Sequence, residues 1–289
     1  MMRMRTNFKL WAFAILLCHP LSSHAGGFAI LEQSSEGIGV AYAGSAAGYG
    51  DGSEIAYNPA AMAWLPETIV SHSSHFIIPS AEFNNEGSNN PKLGGVPLSG
   101  SNGPDAGSVA YVPSVFIAGE FFEDVHLGLG VHSPFGLQTE YDTEWVGRYH
   151  AVKSELTTVQ ITPAISRRFT ENFSLGASLN ILYADATLTN AIDFGTIGFG
   201  QLGPQTATAL GLAPQRNDGF ASVDGNDWGV GFTLGGAYRY GNDSRVGLAW
   251  KTQTQVDLRG SADFTVPSQA LALTSTGLFT DQGARAGMD

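Results

Sequence analysis

Apolar and polar residues alternate along several segments of this chain. Residues 125–131, for example, read Val-His-Leu-Gly-Leu-Gly-Val. Because successive side chains of a β-strand point to opposite faces of its sheet, this period of two creates one apolar face and one face of small or polar residues. The alternation predicts seven strands, over residues 68–78, 108–118, 125–141, 154–169, 173–188, 228–238 and 246–258.

The connections between these strands alternate in length. Residues 120–124, 170–172 and 241–244 are short connections, whereas residues 80–107, 142–153 and 189–226 are long ones. Outer-membrane barrels have short periplasmic turns, long extracellular loops and girdles of aromatic residues. Aromatic residues flank the short connections here, namely Phe121, Phe122, Phe169, Phe173, Tyr238 and Tyr240. The pattern predicts an all-β fold, an antiparallel transmembrane β-barrel; a soluble β-sandwich is the alternative.

The first 25 residues have the features of a secretory signal peptide. A basic start precedes a short apolar run, and Ser23-His24-Ala25 ends in the small-residue pattern of a cleavage site. The run is too short to cross a bilayer as a helix. Cys18 raises the alternative of a lipoprotein, but Leu17 stands before it where a small residue is expected. The sequence therefore predicts export, with residues 1–25 removed.

Composition excludes two classes of protein. The chain has 14 Lys and Arg against 26 Asp and Glu, a net charge of −12, and binding to nucleic acid requires a basic surface. After residue 25 no stretch of about 18 apolar residues occurs, which excludes a helical membrane protein. With 37 glycines and 14% charged residues, the chain is also unlike a soluble helical domain.

Residues 26–67 precede the first predicted strand and do not alternate. They are rich in Gly, Ala and Ser and contain Asn58-Pro59-Ala60. Proline is favoured at the first position of a helix and asparagine at its N-cap, so a short helix is expected from Pro59 to Trp64. A segment of this size before a barrel predicts a plug, with residues 68–289 forming the barrel wall and its long loops.

Five motifs together resemble one family of outer-membrane proteins. They are Gly26-Gly27-Phe28, Ser34-Ser35-x-Gly37-x-Gly39-x-Ala41-Tyr42-x-Gly44, Asn58-Pro59-Ala60, Ser133-Pro134-Phe135-Gly136-Leu137-x-Thr139-Glu140-Tyr141 and Gly225-Asn226-Asp227-Trp228-Gly229-x-Gly231. Their order and positions are similar to those of the FadL/TodX transporters of long-chain fatty acids and aromatic hydrocarbons. The resemblance extends from the cleavage site to about residue 262.

The resemblance implies a fourteen-stranded barrel closed by an N-terminal hatch. Phe28, Asn58, Pro59 and Ala60 are the hatch residues that it indicates. Only seven strands are predicted here, and a bacterial single-chain barrel has an even number from eight upward. We therefore expect this chain to contain the N-terminal half of the barrel.

The third predicted strand contains an interruption. Pro134 lacks a backbone donor, and Gly136 follows closely, so the ladder is expected to break there. The resemblance implies a lateral opening formed by Ser133, Pro134, Phe135 and Gly136; the alternative is that the strand ends at His132. A sideways exit suits an apolar substrate, because avoiding water saves about 0.8 kcal/mol per CH₂ group.

Apolar side chains are concentrated in the third long loop and after the seventh strand. Exposed apolar loops are a liability unless they bind something. By resemblance, a groove for substrate capture is expected at Phe199, Leu202, Leu210, Leu212, Leu271, Leu278 and Phe279. The alternative is that these side chains pack on each other as a lid.

The remaining motifs do not indicate catalysis. A GxGxxG match at residues 198–203 lies in a loop rather than between a strand and a helix, and His72 and His75 point to opposite faces of a strand. No catalytic residue, cofactor or metal is predicted, although a lipid hydrolase and a non-specific porin remain alternatives. Asp185 near the end of the fifth strand is expected to repel a carboxylate in the lumen, which favours uncharged hydrocarbons.

The predicted partners follow from this interpretation. They are hydrophobic small molecules, either fatty acids or hydrocarbons, together with outer-membrane lipid and lipopolysaccharide. Nucleic acid is not expected, and the protein is predicted to be a monomer in the outer membrane of a Gram-negative bacterium.

Overall fold

The computed structural model describes residues 28–91, 95–241, 244–275 and 277–288. The predicted signal peptide lies outside these residues, as do Gly26 and Gly27. Within the described ranges, no helix has the length and hydrophobicity needed to cross a bilayer.

Ten strands of the described residues form one antiparallel sheet. They are β1 (Ile69–Ile77), β2 (Ala110–Phe122), β3 (Val125–His132), β4 (Gly136–Glu140), β5 (Lys153–Thr170), β6 (Phe173–Asp193), β7 (Asp218–Tyr240), β8 (Ser244–Lys251), β9 (Val256–Thr265) and β10 (Gln282–Met288). The order is β1-β2-β3-β5-β6-β7-β9-β10, with β4 paired to β5 and β8 paired to β7. If β3 with β4, and β8 with β9, are each counted as one interrupted strand, every strand pairs with its neighbours in sequence, as in an up-and-down barrel.

The two faces of the sheet differ as the alternation predicts. The face that we call inner carries buried polar side chains such as His126, Gln160 and Thr162. The outer face carries exposed apolar side chains such as Leu129 and Ile165. A water-soluble sheet has the opposite arrangement, whereas a barrel in lipid has this one.

Two strands are longer than the alternation indicates. β6 continues to Asp193 and β7 begins at Asp218, so the ladder between them runs up to the Asp193–Asp218 pair. The predicted strands were shorter: one ended at residue 188 and the next began at residue 228. Between these points Thr, Asn, Asp and Ser occupy both faces, so the alternation is lost. The loop between the two strands is shortened to residues 194–217, which contain helices α3 (Phe194–Leu202) and α4 (Pro204–Ala209).

The prediction for the C-terminal strands was wrong in two respects. The last predicted strand is divided into β8, which ends at Lys251, and β9, which begins at Val256. A further strand, β10, pairs with β9 where no strand was expected. Its sequence, Gln-Gly-Ala-Arg-Ala-Gly-Met, lacks the large apolar residues that make an alternation visible.

Residues 28–67, which we call the hatch, pack against the inner face. They contain α1 (Ser35–Gly39), α2 (Glu54–Tyr57) and 3₁₀ helices at Ser45–Ala47 and Pro59–Trp64. The Asn58 side chain accepts a hydrogen bond from the Ala60 N–H, which confirms the predicted cap. Ile55, Met62 and Leu65 of the hatch pack with side chains of β2 and β5, and this contact forms an apolar core inside a mostly polar inner face.

Candidate functional site

The sheet has a gap between β2 and β4. β3 pairs with β2 only as far as the Val115–Val131 pair, and beyond the break β4 pairs with β5. Residues 110–114 of β2 therefore have no strand partner on this side within the described chain. A bridge between Gly107 and Thr139 lies at the extracellular end of the gap. We call this opening, bounded above and below by paired backbone, the window.

The break between β3 and β4 is held by one side chain of β5. The Thr158 hydroxyl donates to the Phe135 carbonyl over 2.6 Å and accepts from the Phe135 N–H over 3.1 Å. The Ser133 hydroxyl donates to the Thr158 carbonyl over 2.7 Å. These bonds replace ladder bonds lost around Pro134, so the wall continues along β5 past the break. Sequence analysis missed Thr158, since an inward threonine in a strand is common.

The first residues of the hatch occupy the window. Ala29 forms an antiparallel bridge with Phe135. The Ile30 N–H donates to the Pro134 carbonyl over 2.8 Å, and the Gly136 N–H donates to the Phe28 carbonyl over 3.0 Å. The structure thus brings together Phe28 and the predicted residues of the opening, which the sequence had assigned to separate sites.

A cavity of about 370 Å³ lies at the window. Its lining includes Ile30 from the hatch, Tyr111 from β2, Phe135 at the break and Leu156 from β5. Sites for small ligands are typically mostly apolar clefts of about 300–1,000 Å³ with a few polar groups. The window is therefore large enough for a small hydrophobic molecule or for part of a longer one.

Asn58, Pro59 and Ala60 lie against other strands and not at the window. Asn58 is fully buried, and its Nδ2 donates to the Ala46 carbonyl over 2.6 Å and to the Gly236 carbonyl of β7 over 3.2 Å. A Cβ atom at Gly235 would collide with the Asn58 side chain. These hatch residues therefore anchor the plug to the wall, and the inward glycine that permits the contact was not recognised from the sequence.

The predicted capture residues divide into two groups. Phe199, Leu202, Leu212 and Phe279 pack together in a loop cluster whose buried members are Phe194, Ala207, Leu212, Ala270 and Leu273. Leu210, Leu271 and Leu278 are exposed. Four of the predicted residues therefore pack together as a lid would. The other three are exposed and can contact a ligand.

The extracellular loops are also joined by a polar cluster, which we call the loop latch. The buried Arg148 guanidinium donates to Asp218 at the start of β7 over 2.7 Å and to the Ser99 carbonyl over 2.6 Å. The Tyr149 hydroxyl donates to the same carboxylate over 2.9 Å. Burial, followed by the negative charges of Asp193 and Asp218, raises the pKa of Tyr149. The latch thus connects two loops that are far apart in sequence to the extracellular start of β7.

These features agree with one family of proteins. The family described as outer membrane protein transport protein (OMPP1/FadL/TodX) matches residues 16–289. The chain belongs to this family. Membership confirms the resemblance seen in the sequence motifs and places the protein in the outer membrane.

Named relatives and solved structures support the assignment. Outer membrane protein P1 of Haemophilus influenzae is 27% identical over 270 residues, covering 87% of this chain and 58% of that protein. The long-chain fatty acid transport protein of Escherichia coli is 25% identical over 274 residues, covering 90% of this chain and 59% of that protein. The chain therefore spans less than two thirds of the length of these relatives.

Structural similarity confirms the barrel fold. A crystal structure of a FadL homologue from Pseudomonas aeruginosa superimposes with a TM-score of 0.78 at 21% identity, over 91% of this chain and 64% of that one. The toluene transporter TodX of Pseudomonas putida gives a TM-score of 0.51 at 16% identity, over 83% and 58% of the two chains.

The expectation that Asp185 repels a carboxylate in the lumen was wrong. Leu182 and Ala184 are buried on the inner face, so Asp185 lies on the opposite face with Tyr183, whose hydroxyl is 3.4 Å from its carboxylate. The inner face instead carries a cation, because Lys251 lies directly opposite the buried Thr233 in the β7–β8 ladder. The argument against fatty acids therefore does not hold for this family member.

Proposed function

We propose that the protein takes up hydrophobic compounds across the outer membrane and releases them sideways through the window. Substrate binds first at the exposed apolar residues of the extracellular loops, Leu210, Leu271 and Leu278. It then passes into the barrel and leaves between β2 and β4 into the bilayer. Fatty acids and monoaromatic hydrocarbons are both candidate substrates.

One observation carries this proposal: the window is filled by the hatch and not by a strand. The two backbone hydrogen bonds of the Ala29–Phe135 bridge hold the hatch there, together with a hydrogen bond of 2.6 Å from Gln33 Nε2 to the Ser133 carbonyl. Net contributions of about 0.5–1.5 kcal/mol for each hydrogen bond make this contact breakable while every wall strand stays folded. The apolar lining favours a hydrophobic molecule, which would never meet periplasmic water on this route.

The outer face supports the remaining expectations. Its exposed apolar side chains suit contact with lipid and lipopolysaccharide, and nothing in the proposed route requires a second copy of the chain. The protein would therefore act as a monomer and as a channel, with no covalent chemistry on the substrate.

A reversible cross-link across the window tests the route. Directly opposed residues of a non-hydrogen-bonded antiparallel pair have Cα atoms about 4.5 Å apart, which is within disulfide range. The only cysteine of the sequence, Cys18, lies in the predicted signal peptide. Ala29→Cys combined with Phe135→Cys should therefore block uptake of oleic acid or toluene when oxidised and restore it when reduced.

The control is a cross-link in a ladder that has no reason to open. Ile117 and Leu129 are paired between β2 and β3, so Ile117→Cys with Leu129→Cys should leave uptake unchanged in both redox states. Undiminished uptake with the Ala29–Phe135 pair fully oxidised would show that substrate does not leave through the window.

A further inference from the structure

Three polar side chains lie together on the outer face beside the window. His72 and Ser74 lie on the outer face of β1 between the exposed apolar residues Val70 and Phe76, whereas Ser73 is buried against the hatch. Tyr111 lies on the outer face of β2 and is 54% exposed. We call His72, Ser74 and Tyr111 the polar relay.

Hydrogen bonds connect the polar relay in a defined direction. His72 Nδ1 lies 3.2 Å from the Ser114 carbonyl, which can only accept, so Nδ1 carries the hydrogen. In the neutral imidazole Nε2 is then an acceptor, and the Ser74 hydroxyl donates to it over 2.9 Å. Tyr111 in turn donates to Ser74 over 3.1 Å. The Tyr111 oxygen is left with lone pairs and no free hydrogen, so the end of the relay is an acceptor.

The level of the relay in the membrane follows from strand geometry. A strand rising 3.3 Å per residue and tilted by about 40° climbs about 2.5 Å per residue, and the apolar band is about 25 Å tall. Counting from the periplasmic aromatic residue Phe122, Tyr111 lies about 28 Å up β2, at the outer edge of the band. His72, opposite Val115, lies about 18 Å up and within the band.

A tyrosine at the interface is common in barrels, but a histidine and a serine below it on the lipid side are not. Ionisable residues inside a membrane are costly and generally mark a functional site. Tyr111 is one of the residues that line the window cavity, on the stretch of β2 that is paired with β1 but has no strand partner on its other side. The relay therefore ends at the lip of the proposed exit.

We propose that the polar relay receives the hydroxyl group of a substrate as it leaves the window for the outer leaflet. The acceptor at Tyr111 suits a neutral amphiphile with an O–H donor, such as a protonated carboxylic acid, an alcohol or a phenol. Its apolar part would extend into the leaflet while its hydroxyl stays at the interfacial level. A hydrocarbon gains nothing from the relay. This inference rests on the proposed lateral exit.

The test compares substrates that share a chain and differ in the polar group. Uptake of radiolabelled hexadecanoic acid, hexadecanol and hexadecane is measured in cells expressing the wild-type protein, Tyr111→Phe or Ser74→Ala. One hydrogen bond contributes about two- to tenfold in a rate or affinity, so Tyr111→Phe should slow the acid and the alcohol by about that factor and leave hexadecane unchanged. Ser74→Ala should give a smaller loss with the same selectivity.

Tyr238→Phe is the matched control, because Tyr238 is also exposed on the outer face but lies on β7 at the periplasmic girdle. It should change none of the three rates. Equal loss for all three compounds in both relay variants, or no loss in either, would overturn the inference. If Tyr111→Phe fails to insert, as judged by heat-modifiable gel mobility, Ser74→Ala decides. Absence of uptake by the wild-type protein would instead refute the proposed function.

Discussion

The Ile30 N–H donates a hydrogen bond to the carbonyl oxygen of Pro134, with 2.8 Å between the nitrogen and the oxygen. Ile30 belongs to the hatch and Pro134 to the barrel wall. A carbonyl released from its ladder inside a membrane needs another donor, because water is absent there. The hatch supplies that donor, so it substitutes for a strand where the wall is interrupted between β3 and β4.

Restoring the ladder at the break should close the exit. Pro134→Val together with Gly136→Val supplies the missing N–H and a strand-favouring side chain. A Cβ atom at Gly136 would lie 2.9 Å from the end of the Ile30 side chain, so the hatch must also move. We expect uptake of a hydrophobic substrate to fall by about tenfold, the effect of a change of about 1.4 kcal/mol.

Pro163→Val serves as the control for this double variant. Pro163 lies on the outer face of β5 opposite Leu129, where the ladder between β3 and β5 is continuous and no hatch residue replaces a strand. Its replacement should leave uptake unchanged. Wild-type uptake by a correctly folded Pro134/Gly136 double variant would argue for a path through the hatch into the periplasm.

Neighbouring glycines of β7 should respond differently to the same substitution. Gly235→Ala places a Cβ atom against the Asn58 side chain, whereas a Cβ at Gly236 meets only Leu175, at 3.5 Å. We expect Gly235→Ala, like Asn58→Ala, to destabilise the hatch by about 1–3 kcal/mol through loss of buried hydrogen bonds. Hydrogen exchange of the Pro59–Trp64 amides should accelerate in both, but remain slow in Gly236→Ala.

Removing one charge from the loop latch should loosen the extracellular loops. Asp218→Asn leaves the buried Arg148 without its counter-ion, and breaking a buried pair in this way costs about 3–5 kcal/mol. Proteolysis of intact cells should therefore cut the loops of this variant much faster. Glu155→Gln, which breaks the partly exposed pair with Lys153, should cost less than about 1 kcal/mol and leave the cleavage rate unchanged.

Substitutions of two leucines should distinguish the packing of the extracellular loops from the capture of substrate. Leu212 is buried in the loop cluster, so Leu212→Ala should cost about 2–5 kcal/mol and lower the temperature at which the loops lose protease resistance. Leu271 is 59% exposed, and Leu271→Ala should leave that temperature unchanged while raising the substrate concentration needed for half-maximal uptake. An unchanged concentration dependence in Leu271→Ala would remove this residue from capture.

The sequence by itself determined the local features of this protein. The period of two assigned Leu129 to the outer face and His126 to the inner face, because the alternation of side chains is a property of each strand alone. The Asn58 cap and the break after His132 are equally local, since they depend on the donor and acceptor groups of a few adjacent residues.

Only the tertiary structure decided which distant segments meet. No pattern in the chain pairs Ile30 with Pro134 or joins Arg148 to Asp218, because these contacts depend on how the sheet curves around the hatch and how its loops fold over it. The face on which Asp185 lies was also misjudged, since Leu182 and Ala184 place apolar residues on the inner face as well, so hydrophobicity no longer distinguishes the two faces there. Local chemistry is encoded by neighbours in sequence, whereas the window and the polar relay are created by strand pairing across the sheet.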